Sequence, residues 1–267
     1  MQRHITAYAV AMLLIFPLML TAAACSAVTA QEKGLSIAQE MHRRDRGWGD
    51  QRVSMQMILR NRQGQRSERM IRVRTLEVDG DGDKSLIIFD EPRDLKGTAF
   101  LSFTHALAPD EQWLYLPALK RVKRISSANK SGPFMGSEFA YEDLTSQEVE
   151  KYSYRWLRDE KLNGHDTMVI ERIPAYAHSG YTRQIVWVDR RIWQPLKVDY
   201  YDRKDSLLKT LTASDYRHYR DRYWRALSMD MDNHQSGKST MLRWSGYQFL
   251  TGLSDTDFDR HALQRAR

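Results

Sequence analysis

A serine nucleophile is the first chemistry that the residue types of this chain suggest. Ser137 follows Gly136, and Asp143 lies a short way downstream. The motif Gly-x-Ser-x-Gly and its strand-turn-helix setting are missing here, and a serine beside a glycine is typical of a turn or a cap. We therefore predict no catalytic residue and no enzyme. The bases that a hydrolase would draw on are His105, His165 and His178.

Metal chemistry has one candidate, the run Asp79, Asp81 and Asp83, which has the spacing of a calcium loop. The sixth position is Lys84 instead of glycine, and strand-like segments flank the run, so we predict a hairpin turn. The histidines show no pair at the spacing of metal ligands. We expect no metal and no cofactor.

The N-terminus has the pattern of an export signal. Arg3 precedes an apolar run over residues 9–24, and small residues follow at Val28 to Ala30. We predict a signal peptide over residues 1–30, a single domain over residues 31–267, and export of that domain. Cys25 lies within the signal, so the mature domain has no thiol; lipid anchoring at Cys25 is the less favoured alternative.

The net charge of +7 bears on the partners. An exported basic protein has little access to DNA, and its positive surface favours anionic headgroups or acidic partners. No further apolar run approaches the ~20 residues of a spanning helix, so we expect peripheral membrane contact at most, and a monomer. Nucleic acid is not an expected partner.

The elements that must position any site are mostly strands. Val53 to Arg60 and Ile71 to Arg74 alternate apolar and polar residues around a turn at residues 61–65. About a dozen such segments follow one another with hairpin turns and few helices, which predicts an antiparallel sheet. We expect helices only near residues 35–46 and 255–264, a turn or helix near residues 135–144, and a long irregular loop over residues 126–145.

Some strands are apolar on both faces, as in Trp113 to Leu116 and Ile185 to Val188. Such a sheet needs cover on both sides, and the chain has few helices to supply it. We therefore predict a sheet that curls and partly encloses its own concave face. An aromatic inner face is more often packed core than ligand site, so the pattern alone does not establish a cavity.

One block is specific enough to carry a family resemblance. It runs from Trp113 to Ile125 and continues through Asn129 to Gly132 and Phe134 to Leu144. With Lys96 to Leu101 upstream and Tyr200 to Asp202 downstream, it closely resembles the LolA-like outer-membrane lipoprotein-sorting proteins. The resemblance implies a mainly β fold, an unclosed antiparallel β-barrel with a few covering helices, and an apolar cavity for acyl chains.

With this resemblance, the hypothesis is a non-catalytic periplasmic carrier of a lipid or lipoprotein. Acyl chains would lie against aromatic residues, and the loop would form a lid that turns on its glycines. Basic residues at the rim would meet headgroups or a partner. The predicted ligand-binding residues are Phe100, Trp113, Tyr115, Tyr152, Tyr154, Trp156 and Trp187; those of the lid are Gly132, Phe134, Met135, Gly136, Phe139 and Tyr141; those of the rim are Lys120, Arg121, Lys123 and Arg124.

Two alternatives stay open. One is a periplasmic lipid hydrolase that uses Ser137. The other is a module that docks an inner-membrane efflux-type lipid exporter through Lys120 to Arg124 and carries nothing itself.

Overall fold

The computed structural model describes residues 28–265. They form one antiparallel sheet of 13 strands, accompanied by two α-helices and short 3-10 turns. The strands are β1 (Asp50–Arg60), β2 (Arg66–Leu76), β3 (Lys84–Glu91), β4 (Ala99–Phe103), β5 (Glu111–Leu116), β6 (Arg121–Ile125), β7 (Tyr152–Leu162), β8 (His165–Pro174), β9 (Arg183–Asp189), β10 (Pro195–Tyr201), β11 (Leu207–Tyr219), β12 (Tyr223–Asn233) and β13 (Ser239–Phe249).

The sheet consists of two meanders that are joined where the first strand of one pairs with the last strand of the other. Strands β1 to β6 lie side by side in sequence order, as do β7 to β13, and β1 pairs with β13 in the middle. The edge strands are β6 and β7, which do not pair with each other, so the sheet is not closed. The predicted fold class is confirmed.

The larger apolar cluster defines what we call the inner face. It includes Met55 and Phe89 from the first meander and Ile170 and Met231 from the second. The opposite, outer face has two smaller clusters. One includes Leu101 and the other Trp187.

Helix α1 (Ala30–Arg44) covers the inner face beside β7. Thr29 caps it in a reciprocal capping box with Glu32, which satisfies two backbone N–H groups at the helix start. Gly34 lets the helix approach closely, because a Cβ there would lie 2.7 Å from backbone atoms of Arg155 and Trp156. The predicted N-terminal helix is confirmed.

Helix α2 (Arg260–Arg265) covers part of the outer face. Its residues Ala262 and Leu263 pack with Leu86, Leu101 and Trp113. This agrees with the helix expected near residues 255–264. None of the helices in residues 28–265 is long and apolar enough to cross a membrane.

Some boundaries differ from those expected. The sequence pattern predicts strands over Ser239 to Trp244 and Leu207 to Thr212, whereas β13 continues to Phe249 and β11 to Tyr219. The predicted signal peptide lies mostly outside the described residues, and α1 begins at Ala30, the last residue assigned to it. The division at residue 30 stays a prediction.

The contact at Gly34 can be tested by substitution. Gly34→Ala should lower the free energy of unfolding by about 1–3 kcal/mol through overpacking, although alanine favours an isolated helix by about 1 kcal/mol. Thermal unfolding of this variant is compared with Ser36→Ala, at an exposed position of the same helix. A higher melting temperature for Gly34→Ala would show that α1 does not press on the β7 backbone.

Candidate functional site

The segment that joins β6 to β7, residues 126–151, lies across the inner face, and we call it the plug segment. Phe134 is fully buried at its centre. The ring of Phe134 lies 6.0 Å from that of Phe89, 5.3 Å from that of Phe100 and 5.4 Å from that of Tyr141. Since Phe89 and Phe100 belong to β3 and β4, the plug segment fills the inner face of the first meander.

Buried charges tie the plug segment to the second meander. Lys209 on β11 donates to the Asp143 carboxylate at 2.7 Å and to the Glu138 carbonyl at 2.7 Å. The Tyr181 hydroxyl donates to Asp143 at 2.9 Å. The side chains of Lys209 and Asp143 are only 4% and 5% exposed. Such a pair stabilises little by itself, but it is costly to separate, so it specifies where the segment sits.

Glu142 makes a second tie, to the turn between β8 and β9. Its carboxylate accepts hydrogen bonds from the Gly180 N–H at 2.8 Å, the Ser179 hydroxyl at 2.9 Å and the Tyr176 hydroxyl at 3.1 Å. Burial, together with the charge of Asp143, raises the pKa of Glu142 above its usual value. These donors solvate a carboxylate that lies away from water.

Ser137 has a structural role in this segment. Its hydroxyl donates to the carbonyl oxygen atoms of Phe134 at 2.7 Å and Phe139 at 3.3 Å. His105 and His165 bond instead to aspartates outside the plug segment, at 2.7 Å each. The described residues do not bring the predicted hydrolase partners together.

The other residues predicted for a lid lie within the same segment. Phe139 is buried, and Met135 and Tyr141 pack on the inner cluster. Gly136 takes a φ of 78°, a conformation that glycine adopts without strain, and Gly132 lies before the turn at Phe134. Movement about these glycines stays a prediction.

The seven aromatic residues predicted to line one face are divided between the two faces. Phe100 pairs with Leu114, while Leu101 pairs with Trp113. Paired residues share a face, and neighbours along a strand point to opposite faces. The expectation of a shared face is therefore wrong for three of the seven: Trp113 and Tyr115, which pack in the outer cluster near α2, and Trp187, which packs in the other outer cluster.

The remaining four lie on the inner side. Tyr154 and Trp156 are half-buried against the inner cluster, and the ring of Tyr152 lies tilted beside that of Tyr154 with ring centres 6.2 Å apart. Phe100 is fully buried beneath Phe134. Their contact with a ligand stays a prediction.

The predicted rim residues lie on or beside the edge strand β6. Arg121 and Lys123 pair with Leu116 and Leu114 and so point to the inner side, whereas Arg124 pairs with Trp113 and points outward. Lys120 occupies the turn before the strand. All four are exposed, and their contact with headgroups or a partner stays a prediction.

Sequence reasoning missed a second aromatic group on the inner face. Trp244 and Tyr247 of β13 pack on the inner cluster with Met229 of β12, and all three are half-buried. The rings of Trp244 and Tyr247 are 6.4 Å apart. Gly246, with a φ of 69°, lies between them at a register shift of the β1–β13 pair. The bulge reverses the alternation, which is why the pattern appeared to end at Trp244.

Two cavities show how space is distributed around this face. One of about 370 Å³ lies beside β6 and is lined by Lys123, Ile125 and Tyr141, among others. The other, of about 130 Å³, lies on the outer face below α2. Neither lies at the centre of the inner cluster among the described residues, where Phe134 is packed.

The C-terminal part of the plug segment lies beside two carboxylates, those of Asp83 and Glu148. The Asp83 N–H donates to the Ser146 hydroxyl, which itself donates to Glu148 at 2.7 Å. Burial and the neighbouring Glu148 raise the pKa of Asp83 to about 7, although Arg46 opposes the shift. This carboxylate titrates near neutral pH.

Known protein structures share this architecture. A domain from Vibrio parahaemolyticus, provisionally named for outer membrane lipoprotein sorting, is 60% identical, with a TM-score of 0.87 over 88% of this chain and 100% of that one. A DUF1329 family protein from Desulfovibrio piger is 32% identical, with a TM-score of 0.84 and the same coverage. No curated protein matches this chain.

A LolA superfamily protein from Nitrosomonas europaea shares the fold, with 21% identity and a TM-score of 0.70 over 88% of this chain and 100% of that one. The open antiparallel sheet is therefore of the LolA-like class, as the sequence resemblance indicates. A family model described only as an uncharacterized protein matches residues 81–265. The chain belongs to this family, and it is a relative of the Vibrio and Desulfovibrio proteins.

The raised pKa of Asp83 predicts a pH dependence of stability. A group whose pKa is higher in the folded state contributes stability that is complete below its unfolded pKa, near 3.8, and is lost as the pH rises through about 7. Asp83→Asn should therefore raise the free energy of unfolding at pH 8 by about 2 kcal/mol, with the gain disappearing near pH 4. Thermal unfolding across this range measures it.

The matched control is Asp79→Asn, in the same turn but fully exposed. It should leave the pH dependence of unfolding as it is in the natural protein. If Asp83→Asn destabilises equally at every pH, Asp83 acts through its hydrogen bonds and not through its charge.

Proposed function

We propose that this protein is a non-catalytic periplasmic carrier that shelters acyl chains of a lipid or lipoprotein on the inner face. The observation that carries the proposal is the cover of that face. A continuous apolar surface spans both meanders, and it is covered by α1 and by a plug segment whose regular structure is limited to short 3-10 turns. The likeness to a domain named for lipoprotein sorting supports the proposal.

In the described structure the plug segment stands where the chains would lie. Re-exposing Phe134 and Phe139 would cost about 3–6 kcal/mol, at 1.5–3 kcal/mol per buried side chain. Sheltering half of a palmitoyl chain would return roughly 6 kcal/mol, at about 0.8 kcal/mol per methylene. The apolar contributions are therefore nearly balanced, and the cost of separating the buried pair of Lys209 and Asp143 favours the closed position when no chain is bound.

The half-buried aromatic group at Trp244 and Tyr247 offers the first contact for an entering chain. With Met229 it forms a part of the inner face that already reaches solvent, beyond the fully buried region around Phe134. Trp244 also has a buried indole N–H without a partner among the described residues. An acyl chain could lie against these rings before the plug segment moves.

Delivery requires donor and acceptor membranes. We propose that an inner-membrane lipid exporter of the efflux type supplies the cargo, and that contact with the membrane is peripheral. The hydrolase alternative gains no support from the hydrogen bonds of Ser137, whose hydroxyl serves its own turn.

A reversible disulfide tests whether the plug segment must move. The Glu138 N–H donates to the Thr240 hydroxyl at 3.0 Å, so cysteines at these two positions would link the segment to β13. In the mature domain, whose natural sequence after residue 30 has no cysteine, oxidised Glu138→Cys/Thr240→Cys should bind a fluorescent palmitoyl probe at least tenfold more weakly than the reduced protein (about 1.4 kcal/mol). The reduced form is the control. Equal binding in both redox states would contradict displacement of the segment.

A pair of tryptophan variants tests which face binds. Trp244→Ala should weaken binding of the same probe by about tenfold, because a large apolar contact on the inner face is lost. Trp187→Ala, on the outer face, should leave the affinity unchanged. Circular dichroism confirms that both variants are folded. If Trp187→Ala weakens binding and Trp244→Ala does not, the inner face is not the binding surface.

A further inference from the structure

The two edge strands of the sheet, β6 and β7, differ in what covers them. At one edge, α1 packs directly on β7, with Gly34 against the backbone of Arg155 and Trp156. At the other edge, no described residue forms a hydrogen bond with the outward backbone groups of β6. An uncovered row of N–H and C=O groups is a template for one more strand.

The side chains of β6 select what could pair there. Arg121, Lys123 and Arg124 are exposed on five residues of strand, and Lys120 precedes them. Among the described residues only Arg124 has a carboxylate within 4.0 Å, the Oε1 of Glu111 at 3.2 Å. A second copy of this chain would bring the same positive charge and be repelled. An acidic segment would be attracted.

The surface next to β6 could also receive a side chain. The cavity of about 370 Å³ lies against the inner side of this strand, between Lys123 and Ile125 and the turn of Pro133 and Tyr141. In strand addition, the added backbone supplies the affinity while alternate side chains enter neighbouring pockets. The edge and the cavity are placed as that mode of recognition requires.

We propose that β6 is a docking edge for an extended acidic segment of a partner protein, which adds to the sheet as a fourteenth strand and places an apolar side chain in the cavity beside Ile125. This site adjoins the inner face, because residues of the plug segment line the cavity that receives the apolar side chain. A partner bound there would contact both β6 and the plug segment.

The test uses the fluorescein-labelled peptide Thr-Val-Thr-Glu-Thr-Asp-Thr with the full mature chain, monitored by anisotropy. Its Val, Glu and Asp share one face, as Ile125, Lys123 and Arg121 do on β6. Two further peptides are N-methylated at its odd or at its even amides. Strand addition uses alternate amides, so one of these two should bind as the parent does and the other at least tenfold more weakly. If both bind as the parent does, or if the parent does not bind, the proposal is overturned.

Charge reversal supplies the matched comparison. Arg121→Glu/Lys123→Glu should weaken binding of the parent peptide at least tenfold, whereas Arg93→Glu/Lys96→Glu, an equal change in charge at exposed loop residues, should not. Equal loss in both variants would show that net charge alone attracts the peptide, which overturns the docking edge. So would binding of phosphatidylglycerol vesicles through β6 without peptide binding, since the edge would then meet a membrane.

The peptide assay and the acyl-chain assay distinguish the docking edge from the proposed carrier function. Acyl binding with no peptide binding would remove the docking edge and leave the carrier. Peptide binding with no acyl binding would do the reverse.

Discussion

The structure depends on one constraint: an antiparallel sheet that curls without closing must cover an apolar inner face with something other than its own strands. In this chain the first meander alone contributes Met55, Ile71 and Phe89 to that face. The cover comes from α1 and from the plug segment, which enters the interior at the point where the strands stop. The unclosed edge is therefore what admits the cover.

Two kinds of interaction hold the plug segment in place, and a bound acyl chain could replace only one of them. The rings of Phe134, Phe100 and Tyr141 give non-directional stabilisation, which another apolar group could replace. The pair of Asp143 and Lys209 gives direction, because separating it leaves charges that are costly to bury alone. Apolar packing makes the segment replaceable, and the ion pair makes its closed position unique.

The family relation and the geometry of the inner face give two different kinds of information about the proposed carrier. The likeness to the Vibrio domain extends over 88% of this chain, so the fold and its inner face are shared. In the described structure the plug segment is packed into that face, and carriage therefore requires a rearrangement. The proposed docking edge at β6 borders the segment that would move, since plug-segment residues line the cavity beside it, so a partner bound there would respond to that rearrangement.

Much of the fold could be predicted from the sequence, because alternation along a strand is a local property. The antiparallel class, the first helix and the irregular segment after Ile125 all follow from local pattern and turn chemistry. The sorting of the aromatic residues could not be predicted. A period of two shows that Trp113 and Leu114 point to opposite faces, but only the pairing of Phe100 with Leu114 shows which face is inner.

The bulge at Gly246 and the buried pair of Asp143 and Lys209 could not be predicted from the sequence either. A bulge shifts the alternation by one residue and leaves the sequence looking as if the strand had ended. An ion pair between a loop and a distant strand has no local signature at all. The sequence by itself determined the strands and the family, while tertiary structure alone decided which side chains meet inside, because burial depends on register and on contacts between residues far apart in the chain.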